Sequence, residues 1–263
     1  MKIAVITMWH NEEKLAPFFL SHYGASVTNS AVDMIFLQLD TDTTDNTEKV
    51  IEACMPVCGL GIERFTFPEG MDDILKANRI NEKMRELEGK YDWVIAVDAD
   101  ELVNPPRWNG DLNDFLASVP LSMNVVMAQL YQVYRHKDDK DLDPAQVPIY
   151  QRTHGDPDVW SLFNRCYVKP LCVRPSKSLS WGPGCHNISG GVHLSPECLY
   201  GAHWMMADPE IAVERRMSRR ARQSKHNLDR GLTKHQHSIT EEGIREECGR
   251  HENDPDVLRW FLP

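Results

Sequence analysis

Apolar residues fall along this chain in blocks of two different periods, and nearly every block is closed by a short polar run. Lys2 to Met8 is rich in Ile and Val and reads as a first strand. Asn11-Glu12-Glu13 follows, then Leu15, Phe18, Phe19 and Tyr23 at near-helical spacing. Asp33 to Leu39 reads as a second strand, ended by Asp40-Thr41-Asp42-Thr43-Thr44-Asp45-Asn46-Thr47, with a helix from about Glu48 that Thr44 or Asp45 can cap. Cys54 to Gly61 is turn-rich, Ile62 to Phe67 a short third strand, and Asp72 to Leu87 a helix whose apolar stripe is Ile74, Leu75, Ile80, Met84 and Leu87. Trp93 to Val97 is a continuous apolar run of the kind found in buried parallel strands, and it stops abruptly at Asp98-Ala99-Asp100-Glu101.

Beyond Asn104-Pro105-Pro106 the pattern continues with a short helix (Asp111 to Val119), a strand (Met123 to Tyr134) and a charged loop (Arg135 to Pro148). Trp160 to Val173 carries aromatics with Arg165 and Lys169. A glycine-rich stretch holds His186, His193 and His203. Asp208-Pro209 marks an N-cap and first helical position for a helix from Glu210 to Asn227, and a further amphipathic helix runs from Thr240 to Cys248. Strands alternating with helices predict an α/β fold: a mixed, mainly parallel central sheet flanked by helices, with a helical C-terminal extension. The divisions expected are residues 1–205, made of halves 1–105 and 106–205, and the extension 206–263.

Composition narrows this little. The 263 residues and 41% hydrophobic content suffice for one substantial core. A net charge of −10, from 39 acids and 29 bases, argues against a protein that coats nucleic acid. The seven cysteines are odd in number and form no C-x-x-C pair, which fits free thiols in a reducing compartment. The N-terminal apolar run is too short for a signal peptide, and no stretch approaches the apolar length of a membrane span. The expectation is a soluble, cytoplasmic protein.

Charge placement changes the picture more. Three carboxylates at one strand end repel one another and are costly to desolvate unless a cation neutralises them. Asp98-Ala99-Asp100-Glu101 is therefore open to two readings, a divalent-metal site or a solvated turn. The acids and threonines after the second strand can bind a ribose or base, as acids there do in nucleotide-binding folds. Lys76 and Asn78, on the helix before the acidic strand end, can point at a shared ligand. A histidine from the late set can complete coordination of a carboxylate-held ion. Arg215, Arg216, Arg219, Arg220, Arg222 and Lys225 make the helix 210–227 either a solvated face or a clamp for phosphates or an acidic acceptor, nucleic acid included.

Taken in order, Asn11-Glu12 after strand one, Asp40-x-Asp42-Thr43-Thr44-Asp45-Asn46-Thr47 after strand two and Asp98-Ala99-Asp100-Glu101 after an apolar strand resemble family-2-like glycosyltransferases of the nucleotide-diphospho-sugar transferase (GT-A, Rossmann-like) fold. Thr43 stands where that pattern has Ser, and Asn46 where it has Gly. The resemblance covers residues 1–105; further on, Lys169-Pro170-Leu171-Cys172-Val173-Arg174-Pro175 and a later histidine are similar to a branch of the same superfamily. It implies that Asp100, with Asp98 through water, holds Mn²⁺ or Mg²⁺ against the donor diphosphate, with His186 or His203 as a third ligand. It further implies that Thr7, Asn11, Glu12, Asp40 and Asp42 serve the nucleoside, that Lys76, Asn78 and Asp98 lie near sugar or phosphates, and that Arg174 or the arginine helix contacts phosphate. A UDP-sugar is the first donor expected, with a glycan or other hydroxyl, or nucleic acid, as acceptor. An inverting reaction would need a base, for which Asp158, Asp156 and Glu101 are the candidates.

Two other classes compete. A nucleotidyltransferase of the same fold would carry a glycine-rich basic loop after strand one, whereas Met8-Trp9-His10-Asn11-Glu12 has neither glycine nor Lys or Arg. A nucleic-acid or anionic-polymer binding protein would use the arginine-rich helix 210–227 and leave the acidic strand ends unexplained; a glycosyltransferase acting on modified DNA would use both.

Overall fold

In the computed structural model, residues 1–24, 31–54, 56–105, 110–156, 168–231 and 239–252 are described. The opening half is a run of strand–helix–strand units: β1 (Ile3–Trp9), α1 (Ala16–Gly24), β2 (Met34–Asp40), α2 (Thr47–Ala53), β3 (Gly59–Phe65), α3 (Asp73–Glu86) and β4 (Trp93–Ala96). These strands pair in parallel in the order β3-β2-β1-β4. Every residue of β1 and β4 is buried, which is why both read as continuous apolar runs. The order reverses between β1 and β4, and a crevice opens at such a switch point beside the carboxyl ends of the strands.

The second half extends the same sheet through β5 (Glu101–Asn104), β6 (Val125–Tyr134), β7 (His154–Asp156), β8 (Val168–Val173) and β11 (Leu199–His203), with α4 (Leu112–Ser118) between β5 and β6. The order continues β4-β8-β6-β11-β5, with β7 pairing β6, and only β6–β11 is parallel there. Four strand spacings, about 19 Å along a flat sheet, separate β4 from β5. The five residue steps from Ala96 to Glu101 span at most about 17 Å. The sheet therefore curls, and its β5 edge returns over the end of β4. This curl brings Asp98, Asp100 and Glu101 back to the switch point.

Two short strands, β9 (Ser180–Trp181) and β10 (Ile188–Ser189), form a separate ribbon that Asn81 of α3 ties down through the Trp181 backbone. The C-terminal helix expected at 210–227 is broken in two. α5 (Pro209–Ala221) starts on the Asp208 cap as expected, but the Arg222 carbonyl accepts the Met71 N–H and the Met71 carbonyl accepts the Ser224 N–H. Ser224 then caps a new helix, α6 (Lys225–Asp229). Asn227 and His226 bind the start of α3 as well, so residues 222–227 are pinned across the β3–α3 turn. α7 (Glu241–Glu252) packs on α5 and β6. Among the described residues, no helix is long and apolar enough to cross a membrane.

Candidate active site

The site begins where β1 ends. Asn11 has a left-handed backbone (φ 52°), uncommon for a residue other than glycine. Its side-chain oxygen accepts the Thr44 and Asp45 N–H groups, and its amide donates to the Thr44 hydroxyl. The Thr47 hydroxyl accepts the Glu12 N–H at 2.7 Å, and Asp45 accepts the Glu13 N–H and caps Thr47. Much of the polar run after β2 is thus consumed in stitching the two strand ends together. Asn11 acts here as a clamp, not as an open nucleoside contact. Thr7 is fully buried, its hydroxyl accepting from the Trp9 indole. Asp40 is fully buried and takes Arg222, while Asp42 next to it is exposed.

The centre is a cluster of buried acids and bases. Lys76, from the buried face of α3, pairs with Asp98. Glu101 pairs with Lys169 of β8 at 2.5 Å and also accepts the Asp98 N–H at 3.0 Å. Arg215 of α5 bridges Glu12 and Asp100, its second contact being 3.1 Å. His203 Nε2 lies 3.4 Å from Asp100 Oδ2. Burial favours the neutral acid throughout, but the charges divide the outcome. Asp98 is held well below the usual carboxylate range because Lys76 and Lys169 outweigh its burial. Asp100 is likewise held down by Arg215 and His203 against its own burial. Glu12, which shares Arg215 with Asp100, is pushed up by burial to about 8.

His203 is oriented from behind. Gln132 Oε1 lies 2.7 Å from His203 Nδ1, while the Gln132 amide nitrogen donates to the His203 carbonyl at 3.1 Å. That second bond fixes which end of the amide faces the ring. The oxygen therefore takes a proton from Nδ1, and Nε2 is the nitrogen turned to Asp100. Strand register sets Asp156 opposite Gln132, Gln132 opposite His203, and His203 opposite Glu101, one transverse row over β7, β6, β11 and β5.

Several expected site residues lie elsewhere or are already committed. Arg174 donates to the Met123 and Val119 carbonyls and stacks on Trp93. It sits at the start of β4, the opposite end from Asp98, so it cannot serve the phosphates. Asn78 is exposed two positions from Lys76, a step that puts it on the other face of α3. Glu101 is sealed between Lys169 and the Asp98 backbone, with no side open to an acceptor; it positions the acidic turn. His186 is exposed beside Cys185, whose thiol burial pushes up to about 12. Asp158 lies outside the described residues. Among the described residues, no three carboxylate, imidazole or thiol groups converge on one point. The donors that come together are Asp100 and His203, with Asp98 nearby in its pair with Lys76; carboxylate oxygens with an imidazole nitrogen suit a hard or borderline divalent ion. Gln132 carried no signal beyond a lone polar side chain in a strand, and Lys169 was visible only as the first residue of the Lys169–Pro175 motif. Arg215 and Arg222 were visible only as members of a basic helix.

Four guanidinium groups of that basic stretch are already committed. Arg215 and Arg222 meet strand-end acids, Arg216 binds Glu247, and Arg220 donates to the Ile239 carbonyl. A surface for nucleic acid would need these groups free.

No family model matches the chain, and no curated protein matches it. Among solved structures it is similar to S. aureus TarS residues 1–349 in complex with UDP, at 14% identity and a TM-score of 0.43, covering 95% of this chain and 72% of that one. It is also similar to the mannosyltransferase PcManGT from Pyrobaculum calidifontis in complex with GDP-Man and Mn²⁺, at 19% identity and a TM-score of 0.34, covering 52% of this chain and 36% of that one. A third similarity, to glucosyl-3-phosphoglycerate synthase from Mycobacterium tuberculosis, has 17% identity and a TM-score of 0.32, covering 49% of this chain and 44% of that one. The chain spans 39% of the longer TarS structure.

Proposed function

We propose that this protein is a glycosyltransferase that takes a sugar from a nucleotide-diphosphate donor with the help of a divalent cation. The observation that carries the reading is the meeting of Glu12, Asp98 and Asp100 at the β1/β4 switch point, where an α/β sheet receives its ligand. Asp98 and Asp100, with His203, would hold Mn²⁺ or Mg²⁺, and Asp40 and Asp42 would face the nucleoside. A cation held there would offset the charge that grows on the diphosphate as the glycosidic bond breaks.

The chain's own residues do the rest. Asp100 stays ionised beside Arg215, and Gln132 keeps His203 Nε2 turned toward it. Glu101 with Lys169 fixes the backbone of Asp98. Glu12 shares Arg215 with Asp100 and so fixes the guanidinium at the strand ends. Asp156, aligned with Gln132 on the sheet edge, is the candidate base for the acceptor hydroxyl; its use would make the reaction inverting. A UDP-sugar is the first donor to try, and a glycan or other hydroxyl compound the acceptor class.

Isothermal titration of UDP, GDP and dTDP with and without Mn²⁺ tests the reading. One diphosphate should bind, and more tightly with the metal. No binding in either condition would sink the proposal. Asp100→Ala should abolish metal-dependent donor hydrolysis, and unchanged hydrolysis would remove the metal assignment.

A further inference from the structure

α5 and its C-cap carry Arg215, Arg219 and Arg222 at intervals of four and three, which places them in one row along one face. The row runs over the carboxyl ends of the strands. Its first member bridges Glu12 and Asp100, and its last meets Asp40. Arg219 lies between them. It is half-buried and within electrostatic reach of Glu12, Asp98 and Asp100. Unlike its neighbours, it has no carboxylate bonded to it among the described residues.

The pairing pattern makes this position unusual. Lys76 pairs with Asp98, Lys169 with Glu101, Arg222 with Asp40, and Arg215 with both Glu12 and Asp100. Among these cations of the described residues, Arg219 is the one with no carboxylate within bonding distance. An anion reaching any of the others must first part a guanidinium or ammonium group from a buried or partly buried carboxylate, which is costly because the carboxylate is left uncompensated. At Arg219 nothing has to be parted. Its planar fork of N–H donors suits the paired oxygens of a phosphoryl group. The pinning of residues 222–227 onto the β3–α3 turn fixes the end of the row, so the receptor is held by the fold.

We propose that Arg219 is a receptor for the diphosphate of the donor, so that the donor is gripped between the strand ends of residues 1–105 and the C-terminal extension. This rests on the nucleotide-sugar reading above and adds a specific contact to it. In the filled site Arg219 supplies positive charge to the diphosphate without any existing ion pair being parted for it.

The test uses the full chain, and the nucleoside diphosphate among UDP, GDP and dTDP that the wild type binds. Its affinity is measured by titration with Mn²⁺, beside the matching nucleoside, for wild type, Arg219→Gln, Arg219→Lys and Arg216→Gln. Arg219→Gln should weaken the diphosphate about ten- to a hundredfold and leave the nucleoside unchanged. Arg219→Lys should recover part of the loss, since charge returns without the fork. Arg216→Gln, on the face toward α7, should lower thermal stability and leave diphosphate affinity alone. Arg219→Gln with wild-type affinity overturns this inference and leaves the nucleotide-sugar reading standing. Equal weakening of nucleoside and diphosphate also overturns it, since the loss is then not in a phosphate contact. A wild type that binds none of the three diphosphates overturns the nucleotide-sugar reading itself.

Discussion

β5 borders two buried polar networks that are built in opposite ways. Through its side chain Glu101 joins an ionic network of Lys169, Asp98, Lys76, Asp100, Arg215 and His203. Through its main chain it joins a neutral one. The Tyr23 hydroxyl donates to the Glu101 carbonyl at 2.8 Å and accepts the Val103 N–H at 3.0 Å, while His22 Nε2 lies 2.9 Å from the Val103 carbonyl. The neutral network joins α1 to β5 and satisfies backbone groups that burial would otherwise leave unpaired. The ionic one takes several charges out of water, and apolar packing would often stabilise as much. Stability does not account for it. It keeps fixed charges gathered at the strand ends, which is what a binding site for a charged donor needs.

The comparison predicts that damage to the two networks reads out differently. Asp100→Asn should lower metal-dependent donor hydrolysis by about 10²–10³ or more, because a charge aimed at the reacting diphosphate is lost. Gln132→Leu should come next. It removes the acceptor that fixes the His203 ring, and Mn²⁺ affinity measured with UDP present should fall about ten- to a hundredfold. Nucleoside affinity should hold. An unchanged Mn²⁺ affinity would take His203 out of the ligand set. Tyr23→Phe belongs to the other network. It leaves the Val103 N–H and the Glu101 carbonyl without a partner and should cost about 1–3 kcal/mol in denaturant unfolding, with donor affinity intact. A Tyr23→Phe protein of full stability and lost activity would invert the comparison.

How much of this the sequence disclosed follows from the range of the contacts. Asp98 and Asp100 stood out because acids interrupt an apolar run within a few positions, a local signal. The strand–helix units of residues 1–105 were legible for the same reason, with boundaries shifted by a few residues. β3 starts at Gly59 within a stretch that reads as a turn; a side chain at Gly59 or Gly61 would crowd Met34 on the neighbouring strand. β11 was hidden in a similar way, since Gly201 lies against the Leu102 carbonyl and Leu130, where no β-carbon fits. The partners of the acids were beyond reach. Arg222 and Asp40 are 182 positions apart, and Arg215 and Glu12 are 203. Helical periodicity shows that the arginines share a face, but not whether that face meets water or a strand end.

The smallest expected effect concerns the one member of the neutral network that titrates near physiological pH when the chain is unfolded. Burial pushes His22 down to about 4, against the opposing pull of the Val103 carbonyl. The unfolded chain holds its proton from about pH 6.5 downward, while the folded chain resists it until about pH 4. Between those values the unfolded state binds more protons, so stability is full above about pH 6.5 and is lost as the pH falls toward 4. From pH 7 to pH 5.5 this should amount to about 1 kcal/mol, read as a fall in the urea midpoint. His22→Gln keeps an N–H near the Val103 carbonyl and cannot titrate, so its midpoint should be flatter over the same range. If the slope is the same in both proteins, the acid sensitivity belongs to another group, and the neutral network keeps its bonds without any proton cost.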